Sequence, residues 1–287
     1  MINYIKISVI DYRRRTIKVN KATIKDIARE SGVSTATVSR VLSKTGYASD
    51  EVRKKVIAVA KRLDYQPNEI ARSLKMERTN TIGVIIPDIA NPYFMKISKG
   101  IEEIVEKSGY NLLFVSSDED SNKERKMLKV LLEKRVDAIV IATSGNNNEA
   151  IRQVKANGVP VLLIDRKIDE DQQDMDTVAE DNFQVAYQLT DYLIQHSHRN
   201  IGVVNGLLNV STGMERFLGF KQAMRDNEIE VNEELIYDGN FIEEDGAKAV
   251  NHFLNRLNPP TAILSFNNSM TLGVILQLTR LGLVIPK

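Results

Sequence analysis

"TIKDIARESGVSTATVSRVL", Thr23 to Leu42, is the stretch on which the reading of the fold turns. Ile24, Ile27 and Ala28 recur at helical spacing, with Thr23 placed to cap the start and Gly32 to stop the end. The pattern restarts behind Ser34, a second capping residue, with Val38, Val41 and Leu42 on one side and Thr35, Ala36, Ser39 and Arg40 on the other. Downstream, "DEVRKKVIAVAKRLDY" predicts a third amphipathic helix, with Asp50 near its start and Val52, Val56, Val59, Ala60 and Leu63 facing inward. Two short helices across a glycine-bearing tight turn, plus a third, predict an all-α helix-turn-helix unit around Val33, Val38, Val41, Val56 and Leu63.

The exposed side of the second helix is unusual in having little charge. A helix that only faces water carries Glu and Lys there; this one carries short hydroxyls, a methyl and one arginine. A helix that enters the major groove must approach the bases closely, and long acidic side chains would repel the phosphates. Hydroxyls near its start meet phosphates or base edges, a methyl meets thymine, and Arg40, one turn past Ala36, has the reach for guanine. Charge is distributed to match: residues 1–20 carry +4, residues 21–78 carry +6 and residues 79–287 carry −9, for a net +1. A basic head on an acidic body suggests a polyanion binder joined to something that is not one. The plainer reading is a three-helix bundle whose second helix is rich in Ser and Thr.

The chain has 287 residues, room for a small domain and a two-lobed one. It has no cysteine, which removes disulfides, thiolate metal sites and thiol nucleophiles, and its only imidazoles are His196, His198 and His252. Neither a metal site nor a cofactor is expected. No apolar run reaches the roughly 18 residues of a membrane span, and "DYRRRTIKVNK" follows too short an apolar stretch for a signal peptide. The expectation is a soluble cytoplasmic protein with no membrane partner. Residues 1–21, arginine-rich and without helical or strand register, read as a disordered extension or as a start assigned too far upstream.

"YQPNEIARSLKMERT" follows the head. Pro67 ends what precedes it, Asn68 can cap, and Asn68 to Lys75 has room for about two helical turns, too few to be stable alone. Ile70, Ala71 and Leu74 have nothing in the linker to pack against except a second copy. A conditional helix with a projecting leucine beside a DNA-reading head suggests a minor-groove wedge; a plain linker accounts for the segment equally well.

From Thr81 the pattern becomes short apolar runs, "IGVIIP", "NLLFVSS", "DAIVIAT", "VPVLLID", "NIGVVNG", "ELIYDGN" and "TAILSF", alternating with amphipathic helices such as 93–108, 123–134, 182–196 and 243–256. Such alternation predicts parallel sheets covered on both faces, with ligand bound beyond the carboxyl ends of the strands. Those ends offer aromatic faces (Tyr93, Phe94, Phe241), a forked donor (Arg216), a carboxylate (Asp165), hydroxyls (Ser144, Thr212) and an amide (Asn267). Aromatics stack on sugar rings or bases and the polar groups bind hydroxyls, so this is a binding cleft with no evident nucleophile–base pair. Neither GxGxxG nor a Walker A loop follows the first strand. Taken singly, Asp165 also reads as a loop cap, Phe241 as core, and Arg216 as the partner of Glu215 or another neighbour.

Three motifs in order, "TIKDIARESGVSTATVSRVL", "YQPNEIARSLK" and "TIGVIIPDIANPYF", closely resemble the lactose-repressor (LacI/GalR) family of bacterial transcription regulators from about Ala22 onward. The resemblance implies a helix-turn-helix DNA-binding head over residues 22–66 and a hinge helix and linker over 67–80. It further implies a two-lobed α/β, periplasmic-binding-protein-like effector and dimerisation domain over 81–287. It places Thr35, Ala36 and Arg40 at base-reading positions, Ala71 and Leu74 at minor-groove positions, and Ser34, Thr37, Ser39, Tyr65 and Asn68 at backbone-contacting or supporting ones. Phe94, Asp165, Arg216, Phe241 and Asn267 fall where relatives bind a small effector. Ser43 and Asn268 depart from the usual asparagine and aspartate. "LGLVIPK" lies where relatives continue into another strand and the final crossover, which implies an incomplete second lobe.

The function these features imply is a homodimeric regulator, a repressor of carbohydrate-utilisation genes. It would bind double-stranded operator DNA under control of a sugar-like effector. The alternatives are a sugar receptor with an incidental head, an enzyme on a Rossmann-like body, and an inactive fragment.

Overall fold

The computed structural model describes residues 22–66, 78–168 and 175–285. The chain divides between Lys75 and Met76 into two compact units. The expected N-terminal extension and the hinge residues Asn68, Ala71 and Leu74 lie outside the described residues.

In the head, α1 (Ile24–Ser31), α2 (Thr35–Leu42) and α3 (Asp50–Arg62) follow the sequence pattern. Thr23 and Asp26 form a reciprocal cap: the Thr23 hydroxyl accepts from the Asp26 amide at 3.3 Å, and the Asp26 carboxylate accepts from the Thr23 amide at 3.0 Å. Gly32 stops α1 at φ 68°, a conformation that costs a residue without Cβ little. Ser34 caps α2, accepting from the Thr37 amide at 3.1 Å, and Ser49 caps α3. Ile27, Val38, Val41 and Val56 form the centre of the core, each such burial contributing about 1.5–3 kcal/mol. Val33 and Leu63, expected there, sit at its edge.

The body begins with a parallel five-stranded sheet made of β1 (Thr81–Ile86), β2 (Asn111–Ser116), β3 (Ala138–Ile141), β4 (Val161–Ile164) and β5 (Asp176–Val178). Its strand order is β2-β1-β3-β4-β5, and α4 (Pro92–Lys107), α5 (Ser121–Glu133) and α6 (Asn148–Ala156) connect it. Alternate residues of each strand enter opposite cores. Ile85, Ile139, Ile141 and Leu163 meet Leu128, Leu131 and Ile151, whereas Val84, Ile86, Val140 and Ile164 meet Phe94. Both faces are covered, which is why these strands read as unbroken apolar runs.

A second sheet holds β6 (Ile201–Asn205), β7 (Ile236–Asp238) and β8 (Ala262–Ser265) in the order β7-β6-β8, all parallel. It packs with α7 (Asn182–Gln195), α8 (Ser211–Asp226), α9 (Glu243–Leu254) and α10 (Asn268–Arg280). Two features depart from the sequence reading. Strand β5, "DTV", is exposed along its length and so short and polar that no apolar run marks it. It extends the first sheet, so the second lobe starts after it, at α7. The strand expected over "ELIYDGN" shrinks to three residues, because Glu233–Leu235 forms a 3-10 turn.

Candidate functional site

The head presents one coherent surface. Thr35, Ala36 and Arg40 are exposed, and Thr37 and Ser39 are half-buried beside them. The hydroxyls of Ser34 and Thr37 lie 3.0 Å apart within the cap, so these two shape the start of α2 as well as facing outward. Among the three head helices α2 alone has no acidic residue in its first turn, which leaves the positive end of its dipole uncompensated. Arg40 folds back along the helix, its Nε donating to the Ala36 carbonyl at 3.4 Å, and its terminal nitrogens make no hydrogen bond among the described residues. Ser43 closes the other end of α2, its hydroxyl donating to the Ser39 carbonyl at 2.7 Å. Tyr65 is half-buried against the head core, a supporting place. Sequence reasoning passed over Tyr47, which is 86% exposed between α2 and α3. Its signal was an aromatic in a Gly-bearing loop next to the presumed reading helix.

In the body, the carboxyl ends of both sheets open onto one cavity of about 1090 Å³, lined from both lobes. The first lobe supplies Tyr93 and Phe94 from the start of α4. Asn91 caps that helix, accepting from the Tyr93 amide at 3.0 Å, with Pro92 at its first position. The two rings meet edge-on with centroids 5.1 Å apart, Tyr93 outermost and Phe94 rooted in the core. The Tyr93 hydroxyl donates to Asp165 at 2.8 Å. Burial first, then the Asp165 charge, pushes this phenol well above its ordinary pKa, so it remains a neutral donor.

The second lobe supplies Thr212, Arg216, Phe241 and Asn267. Arg216 is held by the Asn182 carbonyl oxygen, 2.8 Å from its Nε, and by the backbone carbonyl of Phe266. Burial lowers its pKa and Asp165 works against the shift, so the guanidinium keeps its charge. Glu215, a possible partner from sequence, instead binds Lys167 at 2.8 Å. Asn267 caps α10 by accepting from the Met270 amide at 2.8 Å and holds the Phe241 carbonyl through Nδ2 at 3.0 Å, so both ends of its amide are engaged. Phe241 is at once core and wall, and its ring lies over Gly206 so closely that a Cβ there would stand 1.8 Å away. Asp165 and Phe241 both lie at positive φ, 62° and 64°. Two strained non-glycine residues in one cavity wall are the kind of cost that functional sites retain.

One candidate is corrected. Ser144 does not line the cavity; it is 2% exposed, its hydroxyl 2.7 Å from that of Ser117. Its amide donates to Glu124, a fully buried carboxylate that also accepts from Thr143 and Asn147, both at 3.0 Å. The loop after β3 turns inward to satisfy that carboxylate, which no local pattern announces. Wall residues outside the candidate set include Asn182, Arg166 and Asn91. The Asn91 and Asn268 side chains exchange hydrogen bonds of 3.3 and 2.8 Å between the two lobes. Asn268 is thus an uncharged interlobe contact.

Among the described residues no cluster of His, Asp and Glu could hold a metal ion. The cavity can hold a ligand, and the exposed face of α2 can enter a duplex groove. A chain that combines the two has the parts of a ligand-responsive DNA-binding regulator.

Comparison with known proteins gives its family. Residues 23–68 match "Bacterial regulatory proteins, lacI family", and residues 79–287 match "Periplasmic binding proteins and sugar binding domain of LacI family". The chain belongs to the LacI family of transcription regulators. It is 35% identical over 268 residues to the HTH-type transcriptional repressor PurR of Pectobacterium carotovorum, covering 93% of this chain and 78% of that one. It is 34% identical over 265 residues to the PurR repressor of Actinobacillus pleuropneumoniae serotype 5b, covering 92% and 78%. A solved lac repressor dimer, bound to operator and the anti-inducer ONPF, superposes with a TM-score of 0.79 at 25% identity, covering 92% of this chain and 79% of that one. Among the described residues no helix is long and apolar enough to cross a membrane.

Proposed function

We propose that this chain is a cytoplasmic repressor of carbohydrate-utilisation genes, bound as a homodimer to operator DNA and controlled by a sugar-like effector. Residues 22–66 read the major groove through Thr35, Ala36 and Arg40, and residues 67–80 provide the hinge with Asn68, Ala71 and Leu74. Residues 81–287 bind effector and a second copy.

The observation that carries the effector reading is the cavity wall. Aromatic faces at Tyr93 and Phe241 lie among fixed hydrogen-bonding groups from two lobes, which suits a small hydroxylated ring. The dimer reading is supported by Leu272, Ile275 and Leu276, an exposed apolar stripe on α10 at helical spacing. Effector control follows if ligand favours one arrangement of the lobes and the hinge fits DNA in only one of them.

The test is selection of bound sequences from random duplex DNA, followed by titration of sugars and nucleobases against the selected complex. A palindromic consensus released by a sugar is the expected result. Enrichment of no sequence would overturn the operator reading, and release by a nucleobase alone would overturn the sugar assignment.

A further inference from the structure

The cavity that this reading assigns to the effector contains cations, and which of them a ligand can use decides what ligand fits. Arg166 is the most prominent, lying with its guanidinium 5.3 Å from the centroid of Phe241. Both of its terminal nitrogens are already engaged, while its Nε makes no hydrogen bond among the described residues. Its Nη1 and Nη2 donate to the two carboxylate oxygens of Glu119 at 2.7 and 2.6 Å, and Nη1 also donates to the Thr143 carbonyl at 2.7 Å. Its Nε faces Asp165 at 3.6 Å, and the side chain is only 3% exposed. A paired fork of this kind is among the strongest ion pairs a protein makes, and a ligand anion would have to displace it.

The second cation, Arg216, is held through Nε and Nη1 by two uncharged oxygens and has Asp165 as its electrostatic counterpart. The third, Lys96, is exposed on α4. Against these three stand five carboxylates in the same wall, Asp88, Asp118, Glu119, Asp165 and Glu180, of which Asp118 is paired with Lys123. Asn91 and Asn267 each take up one amide at the start of α4 and α10, whereas α8, whose Thr212 also lines the wall, begins with no side-chain cap among the described residues and no acidic first-turn residue. An anion entering the cavity therefore meets a surplus of negative charge, with the central arginine neutralised.

We propose that the effector of this protein is an uncharged compound and that Glu119 is a specificity-determining residue. By neutralising Arg166 it excludes phosphorylated ligands from a cavity that could otherwise take them. The Tyr93 hydroxyl oxygen as an acceptor, Nη2 of Arg216 and Thr212 remain for the hydroxyls of an uncharged ligand, and the Phe241 ring for an apolar ring face. The inference rests on the effector reading above and adds the charge of the ligand to it.

The experiment is a thermal-shift and calorimetric screen of the full chain. Neutral hexoses, pentoses and nucleobases are run beside glucose 6-phosphate, fructose 1-phosphate, ribose 5-phosphate and inorganic phosphate. The wild type is expected to bind a neutral compound and to bind the phosphorylated form of it at least tenfold more weakly. Glu119→Gln removes one charge and one acceptor from Arg166, and should narrow that gap about tenfold or more. Glu180→Gln, at an exposed position where folding is not at risk, should narrow it less. A phosphorylated compound bound by the wild type as tightly as its neutral parent overturns the charge inference and leaves the effector reading standing. Binding by no compound of any class overturns the effector reading, and the inference with it. An unchanged gap in both variants, with wild-type melting retained, shows that these carboxylates do not set ligand charge.

Discussion

Adding a single methyl at Gly206 should damage the effector cavity from behind. A Cβ built there would lie 1.8 Å from Cε1, 2.2 Å from Cζ and 2.6 Å from Cδ1 of Phe241. Carbon atoms rest at about 3.5–4.0 Å, so the ring must withdraw by roughly 2 Å. It cannot do so freely: Phe241 is packed with Val204 and Met270, its backbone is at φ 64°, and Asn267 holds its carbonyl at 3.0 Å. Overpacking of this kind costs about 1–3 kcal/mol. For a body of this size that is a fall in Tm of about 2–12 °C. Ligand binding should suffer more than stability, because the displaced ring is itself the cavity wall. The chain has no tryptophan, so melting is followed by circular dichroism at 222 nm, and affinity by calorimetry with the compound the screen identifies. Gly100→Ala is the control: it lies in α4, a Cβ there meets nothing within 4 Å, and the change should be neutral or stabilising. A Gly206→Ala protein that melts and binds like the wild type would refute the packing argument.

Arg40→Ala should reduce discrimination between operator and random DNA by about 5- to 150-fold, the equivalent of the roughly 1–3 kcal/mol of a bidentate base contact. An equal fall in specific and nonspecific affinity, measured at one salt concentration, would make Arg40 a phosphate contact. Asn268→Ala removes the two hydrogen bonds with Asn91 across the cleft, each worth about 0.5–1.5 kcal/mol; effector association, followed by stopped flow, should become faster, and an unchanged rate would mean the pair does not hold the lobes. Asp245 is buried and accepts from Asn240 at 2.8 and 3.0 Å and from Lys248 at 3.1 Å. Burial raises its pKa, but these bonds outweigh burial and leave it below its ordinary value. Its contribution is therefore complete above about pH 4, the unfolded value, and is lost as pH falls through the lower folded value. Asp245→Asn should flatten the acid side of the stability profile below about pH 4, and an acid limb identical to the wild type would count against it.

The head was legible because its determinants are local. Thr23, Gly32 and Ser34 act on groups two to four residues away, and the apolar spacing of α1, α2 and α3 decides which faces meet. The exposed face of α2 follows once the buried face is known, so Thr35, Ala36 and Arg40 could be named from spacing alone. The strands of the body were legible for the same reason, as apolar runs, and strand order in parallel sheets sends their carboxyl ends to a cleft. Tyr93, Asp165, Arg216 and Phe241 were found by that rule.

What local pattern could not determine is the direction and engagement of each group at those ends. Ser144 follows β3 and Thr212 opens α8, yet the first turns to a buried Glu124 twenty residues earlier and the second lines the cavity. Nothing in the sequence around Arg166 marks its partner; only the fold brings Glu119, 47 residues away, onto both arms of its fork. The Asn91–Asn268 contact spans 177 residues, and β5 is a strand only because an apolar neighbour offers it a ladder. Caps and helical faces depend on interactions within one or two turns, which composition and spacing encode directly. The charge and openness of the cavity depend on pairings between distant segments, and these exist only once packing has fixed which strand ends stand side by side.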